Sequence, residues 1–521
     1  MVFILIIENY IGEEKMKKIV TLSLIAAMSL SNVYALSNAE LADKLSSVEA
    51  ELAKIKAKVK KQNKKINKIK SHDSNDNIKW GVDLRTSLDS INYDMADGSS
   101  KSKSDLMSMR LWLNMAYAPD SHNIFKGQLS MNKAFGADFI GDRTYSMGGQ
   151  FDWVTNEALT DSSLKVRQAY WLYLGDSLLG ANIPWTFSVG RRPSTGGFLG
   201  NLRNDDDAQS PLAHVIDVEF DGLSSKLDLS NIMGISGMSF KVCMGQGSTN
   251  AEPLLTATQY ANDDTQLDDI KLAGFIFVPY NDGQFIVKTN WYKAFDLPGM
   301  DMNQDGSPTE FRQYGDIQGA AVSVMVDGLT DEGFFADTKL FGSYAWSETN
   351  PYEGSSMLGS ADDESGTSYL LGAQWKCLLS DKGTVGIEFN HGSKYWRPFT
   401  YAEDTMVGSK IAARGDAFEA YFTYQLTDAI SAQVRYTKVD YDYTGSNGFF
   451  GNYSGTPIKI SDIKAGAAAV EEMGGVEGVM NAVQAGYLTQ AQADGMLMAS
   501  SMAAQVVETA EDFRFYLRYR F

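Results

Sequence analysis

Residues 513–521 read FRFYLRYRF, and this stretch decides the fold. Its apolar positions run from Phe513 to Phe521 at every second residue, and the positions between them are Arg514, Tyr516, Arg518 and Arg520. Alternation with a period of two predicts a β-strand whose two faces meet different surroundings. Aromatic residues opposite arginines are typical of a transmembrane strand with lipid outside and a watery lumen inside.

The same period recurs along the chain from Ile78 onward, in sixteen segments of about ten residues. Short connections such as PDSHN and YNDGQ alternate with long ones, which is typical of barrels with tight turns at one rim and long loops at the other. We therefore predict an all-β fold, a 16-stranded antiparallel transmembrane β-barrel, preceded by an N-terminal coiled-coil helix. The long loops are expected at 87–104, 134–163, 193–212, 246–267, 296–313, 347–366, 394–415 and 442–511.

Two segments precede the predicted barrel of residues 77–521. Residues 1–35 are interpreted as a leader, and we predict Met16 as the true start and a cleavage site after Ala35. Residues 36–76 hold a lysine-rich coiled coil and linker, whose apolar positions follow a 3.5-residue repeat. An even strand number places both barrel ends, and so this coil, on the periplasmic side. A single helix lying on the barrel is the alternative to the coiled coil.

Composition excludes several classes of protein. The formal charge is −19 although residues 36–70 are strongly basic, so the barrel region is acidic and nucleic acid is not an expected partner. Two cysteines and four histidines without ligand spacing predict no disulfide framework and no cofactor site. No Ser-His-Asp set with usable spacing is present, so an enzyme is not expected.

The terminal strand, the sixteen-strand rhythm and the N-terminal coil resemble the trimeric general porins of Gram-negative bacteria, and above all the porin-like proteins with a short periplasmic coiled coil. The resemblance implies an outer-membrane location, a homotrimer, contact with lipopolysaccharide and outer-membrane lipid, and a loop folded into each pore. It also implies that the barrel-assembly machinery reads Phe521. The expected activity is passive diffusion of small polar or ionic solutes.

Alternation also assigns the residues that face the lumen. Arginines on the first, second, fifteenth and last strands are expected to form a basic wall, and two acids on strands thirteen and fourteen to face inward. Structural salt bridges are the alternative for these arginines. The predicted pore-lining residues are Arg85, Arg110, Arg435, Arg514, Arg518, Glu388 and Glu419. The resembled porins oppose such a wall with an acidic loop, and the candidates for this constriction are Arg192, Arg203, Asp205, Asp206 and Asp207. The loop 134–163 is the competing candidate by its family position.

The first of two inserts holds half of a calcium-loop pattern. Asp301, Asn303 and Asp305 precede Gly306, but Arg312 stands where the pattern needs Glu, so a plain acidic turn is the alternative to a Ca²⁺ site.

The second insert is residues 461–508, which are rich in Ala, Met and Val and are predicted to form a helical hairpin within the last outer loop. Three interpretations are open for these helices: packing on the outer rim, contact with a partner, or service as the plug or lid of a gated or substrate-specific transporter. A surface-structural or adhesion protein anchored by its barrel is a third class.

Overall fold

Sixteen antiparallel strands, numbered β1–β16 in chain order, form a closed barrel. They are β1 Lys79–Met95, β2 Ser100–Tyr117, β3 Asn123–Ala134, β4 Lys165–Gly175, β5 Trp185–Pro193, β6 Glu219–Asp228, β7 Ser239–Ser248, β8 Ile270–Asn281, β9 Phe285–Met300, β10 Arg312–Asp327, β11 Lys339–Pro351, β12 Ser365–Lys376, β13 Gly383–Gly392, β14 Gly415–Gln425, β15 Ile430–Tyr441 and β16 Val507–Arg520. The predicted 16-stranded antiparallel barrel is confirmed.

The structure is a computed structural model and describes part of the chain. The described residues are 78–137, 159, 161–193, 195–249, 251, 258–261, 268–300, 312–330, 332–400, 405–446, 451–452 and 455–521. All of them belong to one unit, Asn77–Phe521. The predicted leader and coiled coil, and the calcium pattern at Asp301, Asn303 and Asp305, lie outside the described residues.

The barrel closes where β1 pairs with β16. Asp83 is opposite Arg520 and Tyr93 is opposite Ala510, in a ladder with one irregularity near Met95. This pairing joins the first strand to the last and leaves the sixteen-stranded sheet without an open edge. Seven connections lie at one rim of the barrel, and each follows an even-numbered strand from β2 to β14; the first is 118–122 and the last is 426–429. This rim is called the turn end below, and the opposite rim is called the loop end.

The two faces of β16 differ as the alternation predicts. Phe513, Phe515, Leu517, Tyr519 and Phe521 are 40–65% exposed, whereas Arg514, Tyr516 and Arg518 are at most 4% exposed. Exposed apolar side chains continue around the outer face, including Phe275 on β8, Val322 on β10, Leu371 on β12 and Val434 on β15. The described helices include none that is long and apolar enough to cross a membrane.

The prediction of a first long loop at 87–104 is wrong. Both strands continue past the predicted ends, with Ile91 opposite Lys103 and Asp94 opposite Ser100, and only residues 96–99 form the turn. The chain between β15 and β16 packs against the tip of this hairpin, and this burial stabilises the extended strands. Ala96 is 4% exposed and packs in a small apolar cluster with Ile460 and Ile463.

The chain between β15 and β16 contains three helices, α1 Ile460–Glu472, α2 Val476–Gln484 and α3 Gln490–Ala503, rather than the two of a hairpin. Gly474 and Gly475, both at φ +84°, separate α1 from α2, because glycine adopts this left-handed backbone without a steric cost. Thr489 and Gln492 form the predicted capping box of α3. The helices bury their apolar sides against one another and against the tip of the first hairpin.

Short elements complete the described structure. They comprise a helical turn at Ser230–Met233, 3-10 segments at Leu202–Asn204, Phe334–Asp337 and Lys410–Ala412, and three parallel strand pairs: Gly197–Phe198 with Gln209–Leu212, Ile216–Asp217 with Phe399–Thr400, and Gly451–Asn452 with Gly299–Met300. The pair at Ile216 and Phe399 joins two long loops to each other inside the barrel.

A leucine-to-arginine exchange tests the outer face. Leu371 lies in the middle of β12 and is 56% exposed, so Leu371→Arg carries a charge into the lipid, which costs roughly 2–4 kcal/mol at the midplane. The expected result is a lower free energy of unfolding from phospholipid bilayers, measured by denaturant titration. Leu378→Arg is the matched control, because Leu378 is 80% exposed in the turn 377–382. Equal stability of the two variants would contradict the assignment.

Candidate functional site

The chain segment 195–218, called the crossing loop, folds into the lumen after β5. Its side chains Leu199, Leu212 and Val215 are at most 1% exposed. They pack against apolar residues on the inner faces of β8–β12, among them Leu272, Tyr292, Ala294, Ile317 and Leu370. The inner wall is therefore apolar on one side of the barrel, and burial of these side chains holds the loop inside.

A second segment, 393–414, lies above the crossing loop and is called the covering loop; its residues 401–404 are not described. Trp396 is fully buried and donates its ring N–H to the Ile411 carbonyl, with 2.7 Å between the nitrogen and the oxygen. Gly366 on β12 lets the backbone of the covering loop lie close to the barrel wall, because a Cβ at residue 366 would lie 2.2 Å from the backbone nitrogen of Trp396. A larger residue at 366 would separate the loop from the wall.

Polar groups bind the crossing loop to the opposite side of the barrel. The Arg518 guanidinium of β16 lies 2.8 Å from Asp83 Oδ1 on β1 and 2.6 Å from Asp206 Oδ1 of the loop. The third guanidinium nitrogen of Arg518, Nη1, donates to the Asn204 carbonyl at 2.5 Å. Arg435 of β15 donates to the Asn204 side-chain oxygen at 2.7 Å. The tip of the loop is thus fixed by arginines of two neighbouring strands, β15 and β16.

Glu419 on β14 binds both loops at once. Its carboxylate accepts from Lys410 of the covering loop at 2.6 Å and from Arg203 of the crossing loop at 3.0 Å. Lys410 lies also 2.6 Å from Glu388 on β13. Glu419 is fully buried, and such a buried network depends on every partner, because a charge left alone in a low dielectric is costly.

The predicted pore-lining residues all point inward and are all buried. Their exposed fractions are Arg85 6%, Arg110 5%, Arg435 1%, Arg514 1%, Arg518 4%, Glu388 3% and Glu419 0%. Ion pairs or ring contacts account for this burial, with Arg514 2.5 Å from Asp89 and the Arg110 guanidinium carbon 3.5 Å from the Trp112 ring centre. Lining of an open pore stays a prediction for them.

The constriction candidates divide into two groups. Arg203 and Asp206 join the network described above, and Asp205 reaches Arg520 at 3.2 Å at its edge. Arg192 lies on the other side of the lumen, where it donates to Ser224 at 2.7 Å, and Asp207 is exposed. The competing loop 134–163 is mostly outside the described residues, so only the crossing loop has a described path through the lumen.

Sequence reasoning missed three partners in this site. Asp89 occupies an inward position of β1, the strand that carries Asp83 and Arg85, so the alternation already contained the signal for it. Lys410 and His214 lie in the two loops, where no periodicity assigns a face. Only the folded path of each loop reveals them.

His214 of the crossing loop is bound between two strands. Its Nδ1 lies 2.9 Å from Ser343 Oγ on β11 and its Nε2 lies 2.9 Å from Ser368 Oγ on β12, and it is 1% exposed. Burial lowers the pKa of His214 to about 3, because the charged imidazolium would lose its hydration. The neutral ring is therefore part of the folded structure at neutral pH.

The pH dependence of stability tests this. The unfolded chain protonates His214 near pH 6.5, whereas the folded state resists protonation until about pH 3. The contribution of the neutral His214 ring to the free energy of unfolding is thus complete above pH 6.5 and is lost as the pH falls from 6.5 towards 3. The variant His214→Gln should lose this part of the pH dependence of the free energy of unfolding. The measurement is the denaturation midpoint of the wild type and of the variant at several pH values. If the two midpoints change with pH in parallel, the assignment is contradicted.

A second variant tests the loop network. Glu419→Gln leaves the buried Lys410 and Arg203 without their shared carboxylate, which should cost roughly 3–5 kcal/mol. We expect both loops to loosen, so that trypsin cleaves after Arg203 and Lys410 while the barrel strands stay intact. The control is Glu508→Gln, which breaks the partly exposed pair with Lys464 and should cost at most about 1 kcal/mol. Resistance to trypsin in Glu419→Gln would contradict the network.

Comparison with solved structures finds outer-membrane proteins at low identity. OmpT of Vibrio cholerae, folded in vitro, is 13% identical over 85% of this chain and 97% of its own, with a TM-score of 0.40. The anion-selective porin from Comamonas acidovorans is 10% identical over 85% of this chain and 99% of its own, with a TM-score of 0.42. Salmonella typhi OmpF, in a complex with daunomycin, is 11% identical over 84% of this chain and 97% of its own, with a TM-score of 0.40.

No curated protein matches the sequence. The sequence does match one family model, over residues 100–487, which runs from the first hairpin to the helical insert. This match covers most of the barrel and includes the crossing loop, the covering loop and β14. The sixteen-stranded chain therefore belongs to DUF3373, a family described as proteins of unknown function.

Proposed function

We propose that the protein is an outer-membrane porin, a passive diffusion channel for small polar or ionic solutes. The observation that carries the proposal is a lumen crossed by a fixed loop and still lined by water-accessible charge. The crossing loop is bound to the wall of β14–β16, while Lys126 on β3 and Lys226 on β6 point inward and remain exposed. A narrowed, charge-lined passage is the arrangement that porins use for selection.

The remaining features of the proposal follow from this location. The exposed aromatic and aliphatic outer face suits outer-membrane lipid, and the long loops would meet lipopolysaccharide. A homotrimer, with a coiled coil in the periplasm, is part of the proposal. Phe521, which is 65% exposed at the turn end, would be available to the barrel-assembly machinery.

A solute-specific or gated transporter is the second candidate, and one observation favours it. The apolar cluster under the crossing loop and the covering loop fills the lumen beside β8–β12, so only the rest of the lumen is left for a passage. In this candidate the helices α1–α3 form the lid. Their described contacts are with the first hairpin and with the ends of β15 and β16, at the rim.

Planar-bilayer recording decides between the candidates. The purified full-length protein should give ohmic conductance steps, grouped in threes for a trimer. Ile460 and Ala503 share one apolar cluster, so a short Gly-Ser linker can replace residues 461–503 without stretching the rim. The porin proposal expects the same single-channel conductance after this replacement. A channel that conducts only after the replacement would assign the lid role to the helices and reject passive diffusion.

A further inference from the structure

Five cations line the part of the lumen between the crossing loop and the turn end. They are Lys126 on β3, Arg192 on β5, Lys226 on β6, Lys241 on β7 and Lys288 on β9, and together they are called the lysine patch. Four of the five lie within a few residues of the turn end of their strands. The patch is separate from the buried arginines of β1, β2, β15 and β16, which are neutralised by Asp83, Asp89 and the loop.

The members of the patch share one face of the inner wall. Lys126 is the register partner of Tyr170, whose ring lies 4.6 Å from the Arg192 guanidinium. Arg192 donates to Ser224 at 2.7 Å, and Ser224 precedes Lys226 by two residues on the inward face of β6. The Lys288 ammonium lies 4.2 Å from the ring centre of Phe198 in the crossing loop. The patch therefore forms a continuous band below the crossing loop.

The arrangement is unfavourable without an anion. Lys226 and Lys241 are direct register partners on neighbouring strands and face the same side, which places two like charges opposite each other. Within the described residues, none of the five cations forms an ion pair with a carboxylate. The described carboxylate that interacts electrostatically with the patch is Asp207 of the crossing loop, which attracts Lys126. Their hydrogen bonds go to hydroxyls, as when Lys241 donates to Ser210 at 2.8 Å.

Water reaches this band. Lys126 and Lys226 are exposed, and Arg192 and Lys288 are half-buried, although all four point into the barrel. Neighbouring strands lie about 4.8 Å apart, so an oxyanion with several oxygens can contact cations on two strands at once. A monovalent halide would engage fewer of them. Multivalent oxyanions thus gain most from the spacing.

We propose that the lysine patch is a binding site for small multivalent oxyanions of the phosphate class and makes the passage anion-selective. The inference rests on the proposed porin function, because the patch selects only what the lumen admits. It assigns the selectivity to the exposed lysines of β3 and β6 rather than to the buried arginines of β15 and β16. Positive charge concentrated in a narrow lumen attracts anions and repels cations.

The test removes charge where folding does not depend on it. Lys126 and Lys226 are exposed and make no hydrogen bond or ion pair within the described residues, so Lys126→Gln with Lys226→Gln should leave the barrel intact. Lys382→Gln with Lys459→Gln is the matched control, since both side chains are exposed at positions outside the strands. All three proteins are used as full-length chains.

Two measurements are made on each protein. The reversal potential in a KCl gradient should show a preference for anions in the wild type and in the control. In the patch variant the permeability ratio of chloride to potassium should be lower by about twofold or more. Inorganic phosphate should reduce the wild-type current, with a half-blocking concentration about threefold or more higher in the patch variant. Cation preference in the wild type, or equal ratios in all three proteins, would overturn the inference.

The failure of the inference is distinguishable from that of the porin proposal. If no protein conducts, the porin proposal fails, and phosphorus NMR of inorganic phosphate titrated with the detergent-purified proteins then decides on the site. Line broadening that is present in the wild type and control and weakened in the patch variant supports the site. Equal broadening, or none in the wild type, would overturn it.

Discussion

The pairing of β1 with β16 is the constraint on which the rest of the structure depends. A spanning sheet in a hydrocarbon layer must satisfy all its backbone hydrogen bonds internally, and only closure removes the two edges. Closure divides every strand into an outward and an inward face. It also brings two inward residues of the first strand, Asp83 and Asp89, to two of the last, Arg518 and Arg514. Two buried ion pairs of the wall thus lie across the seam of the barrel.

The inner wall has two halves with different chemistry. Beside β8–β12 it is apolar and buried against Leu199, Leu212 and Val215 of the crossing loop. Beside β13–β16 and β1–β2 it is charged and bound to the loop's polar tip. The crossing loop therefore has an apolar side and a polar side that match the walls they meet. Because both sides are satisfied, the loop is a fixed part of the lumen, and the lysines near the turn end stay accessible to water.

Periodicity was enough to predict the strands and their orientation. The alternation in residues 513–521 predicts the exposed aromatic face and the buried arginine face that β16 has. It failed at the first hairpin, because Lys101, Ser102 and Lys103 look like a polar loop while their backbone continues the ladder. The candidate site was only partly predictable. Arg203 and Asp206 were among the candidates, but Lys410 and His214 were not, because they lie in loops whose direction no local pattern records.

The sequence by itself determined the number of strands, their inward and outward faces and the helical character of the last insert. Each of these follows from interactions between residues that are close in the chain, which periodicity and capping residues encode. Only the tertiary structure decided which loop crosses the lumen, which arginines are neutralised and which lysines stay in water. These depend on contacts between residues far apart in sequence, such as Arg203 with Glu419 and Asp206 with Arg518. The physical reason is that burial and pairing of a charge are properties of the closed barrel, and no single strand contains them.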